Sequence, residues 1–469
     1  MAQTKSIYRE PKVTRRIERR TSLDKITSNG TIAAAVMVVA ALLAVSVANS
    51  PAYTFFHDVF EAPLGVGIGP LRVSISFETF VNDFLMAIFF LLVGIELKYE
   101  VTVGQLRKPR QAALPMLAAV GGVAMPALIY TVLNWDGALH GWAIPIATDI
   151  AFALGVMSLL GDRISPETKV FFQTLAIADD ILAIVVIALF YGGRIDVAWC
   201  AASLMMVIVL WGLNRSRIFS LKSYIVVGLI LWVCMFNSGI HATLAGVILA
   251  FFLPAKSDIK LNSLQGWLVS RAEKLEDTYD DDQHVLGQHD FTHTAVGIER
   301  VIHHVTPPLQ RMERYISVPV NFFILPIFAF VNAQLRVVDA DLSVVIADPV
   351  THGVYFGAVL GKPIGIILVT FLLVKIGFAK LPQNVDWKQI VAVGLFGGLG
   401  FTMSILIAGL AFSDPSEVIA GKCAILTGSV TAAILGLVYV RMACGVRERR
   451  AGADDVGDAA DDADEDDDE

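Results

Sequence analysis

Cysteine and charge are both scarce in this chain. Its four cysteines, Cys200, Cys234, Cys423 and Cys444, are scattered without the spacing of metal ligands, so they predict neither a disulfide framework nor a metal site. Asp, Glu, Lys and Arg make up only 17% of the 469 residues, whereas 55% are hydrophobic. Mean hydropathy is +0.64. This composition excludes a soluble globular protein and predicts a chain of membrane-spanning helices.

The charges are unevenly distributed along the chain. The formal net charge of −8 comes from the last 19 residues, which contain 11 acidic residues and no basic one. We expect the acidic tail over 445–469 to be disordered. The opposite end, 1–30, is basic. The apolar run after it lacks a clear signal-peptide cleavage site, so we expect that run to be retained as the first membrane helix.

Hydropathy predicts an all-α polytopic membrane protein with 12 transmembrane helices. The predicted spans are 31–48, 80–98, 112–133, 141–160, 168–191, 197–213, 223–236, 239–253, 316–334, 352–374, 389–411 and 418–440. Helices 1–8 occupy 31–253 and helices 9–12 occupy 316–444, with an insertion over 254–315 between them. Of the 36 Lys and Arg residues, 31 fall in the terminal segments and alternate loops and only four in the intervening loops. The positive-inside rule therefore predicts that both termini and the insertion are cytoplasmic.

Two adjacent carboxylates, Asp179 and Asp180, lie in the middle of the fifth predicted span. A charged aspartate at the membrane centre costs about 2.5–3.5 kcal/mol, so such residues are functional by default. Neighbours on an α-helix point about 100° apart, so one carboxylate can meet a fixed partner while the other faces a cavity. The remaining basic residue, Lys362, lies deep in the tenth span with apolar residues on both sides, which argues against snorkelling to the surface. The aspartate pair is predicted to be a binding site.

Two spans are interrupted at matching depths. Pro145 removes a backbone donor from the fourth span, where Thr148 and Asp149 follow. The eleventh span carries three glycines, Gly397, Gly398 and Gly400. Each is the middle helix of a three-helix set, helices 3–5 and 10–12, and the two sets have opposite predicted orientations. Interrupted helices at corresponding positions of an inverted-topology repeat indicate a transport site.

Further charged residues mark the two ends of the second span. Glu96 and Glu100 lie on one helix face near its cytoplasmic end, where Glu96 is expected to line a vestibule, and Asp83 lies at the opposite mouth. Between the first two spans, residues 61–77 contain turn glycines followed by alternating apolar and polar residues, which predicts a small external β-hairpin.

The insertion over 254–315 contains an acidic cluster and several histidines. His303 with His304, or His289 with His293, are candidate metal ligands, but their spacing is generic. We favour a solvated loop with a short amphipathic helix around Val296–Val305.

Six stretches of the chain resemble the NhaA family of bacterial sodium/proton antiporters. They are NDFLMAIFFLLVGIELKYE, WAIPIATDIAFALGV, LAIADD, SGIHATLAGV, LGKPIG and GFTMSILIAGLAF, in family order from about 82 to 440. The resemblance implies 12 helices with an inverted repeat, in which broken helices 4 and 11 cross near mid-membrane; this family is itself a known example of that design. The long insertion and the acidic tail depart from the compact family pattern.

The resemblance also implies roles for particular residues. It places a Na⁺ site at Asp179 and Asp180, with Asp149 and Thr148 nearby and Lys362 as the charge partner. It places Glu96 and Glu100 on the cytoplasmic funnel, His241 at a position linked to pH response, and the hairpin over 61–77 at the contact of a homodimer.

The expected function is Na⁺ or Li⁺ export in exchange for protons across the inner membrane, pH-regulated, with more than one proton per cation. Sodium prefers oxygen ligands, and protons compete for the same carboxylate oxygens. We expect no enzymatic activity, no cofactor and no nucleic-acid partner. Three alternatives stay open: an intramembrane aspartyl protease, which would need a GxGD-type motif that is absent; a cation channel; and a transporter of this fold with another cation or a symport cycle. Proton release on adding sodium separates an exchanger from them.

Overall fold

The computed structural model describes residues 30–68, 71–107, 109–257, 259–336, 338 and 342–445. Apart from Gly30 and Gly445, the predicted basic segment and acidic tail lie outside the described residues. Within the described part, 10 helices are long and apolar enough to cross a membrane, or 11 if one bent pair counts as a span. The prediction of an all-α chain built from membrane-length helices is confirmed at this level.

The helices are numbered here in chain order. They are α1 (Gly30–Ala48), α2 (Tyr53–Glu61), α3 (Phe77–Thr102), α4 (Pro109–Leu133), α5 (Ile150–Ser158), α6 (Pro166–Phe190), α7 (Val197–Arg215), α8 (Leu221–Ser238), α9 (Leu244–Phe252), α10 (Leu261–Thr278), α11 (His289–Val305), α12 (Pro308–Asn332), α13 (Leu342–Ala347), α14 (Pro349–Lys375), α15 (Trp387–Gly397), α16 (Phe401–Ala411) and α17 (Pro415–Ala443). A 3₁₀ helix (Leu139–Ile146) precedes α5, and shorter 3₁₀ turns lie at Gln105–Arg107, Gly161–Arg163 and Val285–Gly287. Three helices contain a π-helical turn: Phe80–Leu85 in α3, Val320–Ile324 in α12 and Gly357–Gly361 in α14.

The eighth predicted span differs most from the structure. It holds only α9, a helix of nine residues, which covers about 14 Å of a hydrocarbon core of roughly 30 Å. Helix α8 ends at Ser238, the next residue Gly239 has a left-handed φ of 81°, and the chain turns before α9 begins. Hydropathy counts apolar residues whether or not they are helical, so it could not detect this interruption.

The insertion is more ordered than a solvated loop. Helices α10 and α11 pack against each other, and the rings of Tyr279 and Phe291 lie 5.2 Å apart between them. The amphipathic helix predicted around Val296–Val305 is the second half of α11. The two ends of the insertion meet, because the Ser257 hydroxyl donates to the carbonyl of His304 at 3.1 Å.

Two short strands precede α3. Strands β1 (Pro63–Ile68) and β2 (Leu71–Ser76) pair antiparallel, with Pro63 opposite Ser76 and Ile68 opposite Leu71. Ser76 then caps α3, since its hydroxyl accepts the amide of Thr79 at 3.0 Å.

Helices α4 and α14 pack closely against each other. Helix α14 carries a glycine at every fourth position, which places the four on one face: Gly353, Gly357, Gly361 and Gly365. A Cβ at Gly361 would lie 2.8 Å from Cα of Pro126, and one at Gly365 would overlap the carbonyl of Gly121. Apolar side chains have no hydrophobic driving force in lipid, so small residues that admit close backbone contact favour this pairing. The pairing holds Lys362 inside the protein.

Candidate functional site

The two interrupted elements meet at their breaks. The 3₁₀ helix ends at Ile146 and α5 begins at Ile150, while α15 ends at Gly397 and α16 begins at Phe401, with a bend of 43°. The amide of Asp149 donates to the carbonyl of Leu399 at 2.6 Å. Non-helical backbone in a membrane needs partners inside the protein, and here each break supplies them to the other.

The glycines of the second break make this contact close. A Cβ at Gly398 would lie 2.7 Å from the carbonyl oxygen of Ala358, and one at Gly400 would lie 2.8 Å from that of Ala147. A Cβ at Gly397 would lie 3.0 Å from Cδ1 of Ile366. A side chain at Gly400 would therefore separate the two breaks, and a side chain at Gly397 or Gly398 would separate the second break from α14.

Asp149 caps two half-helices at once. Its Oδ1 accepts the amide of Phe152 in α5 at 3.0 Å. Its Oδ2 accepts the amide and the hydroxyl of Thr402 in α16 at 3.2 and 2.5 Å. Helix N-termini carry partial positive charge, so the carboxylate offsets both broken ends. Sequence reasoning missed Thr402, although its place two residues after Gly400 is a helix-start signal.

Lys362 and Asp179 form a buried ion pair. The Lys362 ammonium donates to Asp179 Oδ2 and to the Thr148 hydroxyl, and the three residues are at most 1% exposed. The Thr148 hydroxyl donates to Asp179 Oδ2 at 2.6 Å and also lies 3.1 Å from the carbonyl oxygen of Gly397. Asp179 Oδ1 has no hydrogen-bond partner within the described part of the chain. The π-helical turn Gly357–Gly361 directly precedes Lys362, and such turns are frequent at functional sites.

Asp180 points elsewhere. It is 5% exposed and lines a cavity of about 190 Å³, called here the Asp180 cavity, together with Thr148 and Asp149. Glu96 lines the same cavity from α3. Three further polar residues that the sequence analysis had not singled out also line it: Gln173, Asn321 and Thr402. Glu100 is not among its lining residues. One carboxylate of the pair is therefore held by an ammonium, and its neighbour faces open space.

A second cavity, of about 240 Å³, lies along the other half of α3 and is called here the Asp83 cavity. Asp83 and His241 both line it, so His241 is not beside Glu96 and Glu100. The His241 Nε2 lies 2.5 Å from the carbonyl oxygen of Tyr191, just beyond the end of α6. Asp83 and Glu96 are about 20 Å apart along α3. Helix α16 contributes to both cavities, Met403 to the first and Leu406 to the second.

The histidines of the insertion do not gather ligands for a metal. The His303 ring nitrogens lie 2.7 and 3.2 Å from a guanidinium nitrogen of Arg311, a cation that disfavours a metal ion there. Among the described residues, no group of three or more His, Cys, Asp or Glu side chains could hold a metal.

Comparisons with known proteins agree on one family. The family model described as Na⁺/H⁺ antiporter 1 matches residues 24–440. The Na⁺/H⁺ antiporter NhaA of Oleidesulfovibrio alaskensis is 40% identical over 88% of this chain and 92% of its own length. That of Helicobacter pylori strain HPAG1 is 41% identical over 85% of this chain and 90% of its own. Na⁺/H⁺ antiporter NhaA 1 of Saccharophagus degradans is 38% identical over 92% and 93%. The chain is therefore a multi-pass membrane protein that belongs to the NhaA family of Na⁺/H⁺ antiporters.

Proposed function

We propose that this chain exports Na⁺, and also Li⁺, in exchange for protons across the inner membrane. The observation that carries the proposal is the pair of adjacent aspartates with different surroundings: Asp179 is bonded to Lys362, while Asp180 faces a cavity. Family membership supports it, because the relatives are Na⁺/H⁺ antiporters by name.

The exchange follows from competition for the same oxygens. In the empty site, Lys362 neutralises Asp179 and leaves the Asp180 carboxylate to attract a cation or a proton. A cation entering from the Asp180 cavity finds carboxylate oxygens from both aspartates and the Thr148 hydroxyl, and it displaces the ammonium from Asp179. A proton on Asp179 likewise releases Lys362. Because each occupant excludes the other, a protein that changes access only when loaded couples their movements.

Alternating access would move the site between the two cavities. The Asp180 and Asp83 cavities lie along opposite halves of α3, and α16 lines both. A small movement of the two breaks, which contact each other through Asp149 and Leu399, would close one cavity and open the other. We assign the Asp180 cavity, with Glu96 and Glu100 along α3, to the cytoplasmic side, following the distribution of basic residues. Asp179, Asp180 and Lys362 can each gain or lose a proton during one transport cycle. We therefore infer that more than one proton is exchanged per cation, and that transport is electrogenic and pH-regulated.

The proposed architecture has 12 membrane segments, with both termini in the cytoplasm. In this architecture, the eighth membrane segment consists of the short helix α9 and the turn that precedes it. Breaks before α5 and before α16 lie in the middle elements of two three-helix sets, which supports an inverted repeat. The strands β1 and β2 form a two-stranded sheet, and a sheet edge can pair with a second copy, which supports a homodimer.

An aspartyl protease is disfavoured by the hydrogen bonds of its candidate dyad. Such a dyad needs two carboxylates that share a water. Both carboxylate oxygens of Asp149 accept hydrogen bonds from the N-terminal ends of α5 and α16. Asp179 is bonded to Lys362, so the two carboxylates are not arranged to share a water.

Proton release from purified protein on adding Na⁺ tests the function. The wild type should release protons, and Asp180→Asn should abolish the release while the protein still inserts and folds. Asp196→Asn is a matched control, because Asp196 is an exposed helix cap and Asn caps equally well. Full proton release from Asp180→Asn would contradict the assignment of the cation site.

A further inference from the structure

Two uncharged amides line the Asp180 cavity and have no role in the ion pair or in the helix caps. Gln173 lies on α6, seven residues before Asp180 and hence on the same helix face, about 10 Å away along the axis. Asn321 lies in the π-helical turn of α12 and lines the cavity from another element. Two separate helices thus bring amide side chains to the cavity that Asp180 also lines.

Most other polar groups of this cavity are already bonded within the protein. Both oxygens of Asp149 and the hydroxyl of Thr402 are used in the helix caps, and the Thr148 hydroxyl is bonded to Asp179. Among the described residues, neither the Gln173 nor the Asn321 amide has a protein hydrogen-bond partner. Both side chains are only partly buried, so their amides are available to whatever occupies the cavity.

The cavity has the size for a hydrated cation. About 190 Å³ is well above the ~10–15 Å³ that one water needs in a cavity, so there is room for several waters. A Na⁺ or Li⁺ ion must shed part of its hydration shell before it reaches carboxylates, and carbonyl oxygens can replace the lost waters. An amide oxygen accepts a cation but does not titrate near neutral pH, whereas a carboxylate binds protons too.

We propose that Gln173 and Asn321 form a waiting site for a partly hydrated Na⁺ or Li⁺ ion on the way to Asp180. The site rests on the proposed exchange function and adds a specificity element to it. Its neutral ligands favour cation entry without adding a group that protons can occupy. The two amides therefore contribute to the apparent affinity for the cation, whereas the competition with protons stays with the aspartates.

The test measures exchange in sealed vesicles for Gln173→Leu and Asn321→Leu, with Na⁺ and Li⁺ varied at alkaline pH, where protons compete least. The apparent KM for the cation should rise about three- to tenfold in each variant, which corresponds to about 0.7–1.4 kcal/mol, the net value of one typical hydrogen-bond-like contact that competes with water. The maximal rate should fall by less than twofold. At saturating Na⁺, the acid limb of the pH profile should stay in place, which a general structural defect would not achieve.

Asn237→Leu is the matched control. Asn237 is an exposed amide on α8 that bonds to its own helix at Val233, and it is far in sequence from the residues that line the Asp180 cavity. If a leucine variant does not fold, Gln173→Met and Asn321→Ala remove the amides with smaller changes in shape. An unchanged KM for both cations in the folded variants would overturn the waiting site. Absence of Na⁺-driven exchange in the wild type would instead overturn the proposed function.

Discussion

The buried pair between Lys362 and Asp179 gives the strongest stability prediction. Both side chains are 1% exposed, and the ammonium also donates to the Thr148 hydroxyl. Removing one partner leaves the other charge without compensation, at a cost of typically about 3–5 kcal/mol. We expect Lys362→Ala to lower stability by about that amount. Lys362→Met should show most of the same loss, because it keeps the length of the side chain and removes only the charge.

The double variant separates the pair from its surroundings. Asp179→Asn with Lys362→Gln removes both charges and leaves two amides that can bond to each other and to Thr148. We therefore expect it to recover part of the stability lost in Lys362→Ala, with a coupling of up to about 3 kcal/mol between the two positions. The double variant should still bind cations through Asp180, but it should exchange fewer protons per cation and respond less to membrane voltage.

The assay is thermal unfolding of purified protein in one detergent, read at a fixed pH for wild type, both single variants and the double variant. Acidification should reduce the penalty of Lys362→Ala, because a proton can neutralise the Asp179 that it leaves unpaired. Independent, additive losses in the two single variants would refute the reasoning. Lys362 would then act mainly on the ends of the broken helices.

Two further predictions concern segments outside the site. Replacing residues 261–300 by a short Gly/Ser linker should leave transport at saturating Na⁺ largely intact. Ser257 and His304 already contact each other, and loop-closure entropy grows slowly with length. Loss of transport in a folded variant would show that the insertion takes part in the transport cycle. Deleting 65–74 should yield monomers that still exchange ions, because no residue lining either cavity is removed. Native mass measurement that still finds dimers would contradict the hairpin contact.

Several features of this protein follow from local properties of the chain. The cost of placing charge in hydrocarbon singles out Asp179, Asp180 and Lys362 wherever the helices pack, and Pro145 removes a backbone donor from its segment whatever that segment contacts. Such features are readable because each depends on a few neighbouring residues. The same locality explains where the structure departs from the prediction. The apolar run after Gly239 has the hydropathy of a full span although its helix α9 has nine residues, and the helices of the insertion are stabilised by contact with each other.

The arrangement of the site depended on tertiary structure. Lys362 and Thr148 are 214 residues apart in sequence, and only packing decides that the ammonium faces Asp179 and leaves Asp180 to the cavity. The same holds for Thr402, which completes the cap on Asp149 from the other broken element. Gln173 and Asn321 look like ordinary polar residues of two helices until α6 and α12 bring them to one cavity. Sequence alone determined which residues are costly in a membrane, and tertiary structure decided their partners, because partners come from segments whose separation the local pattern does not record.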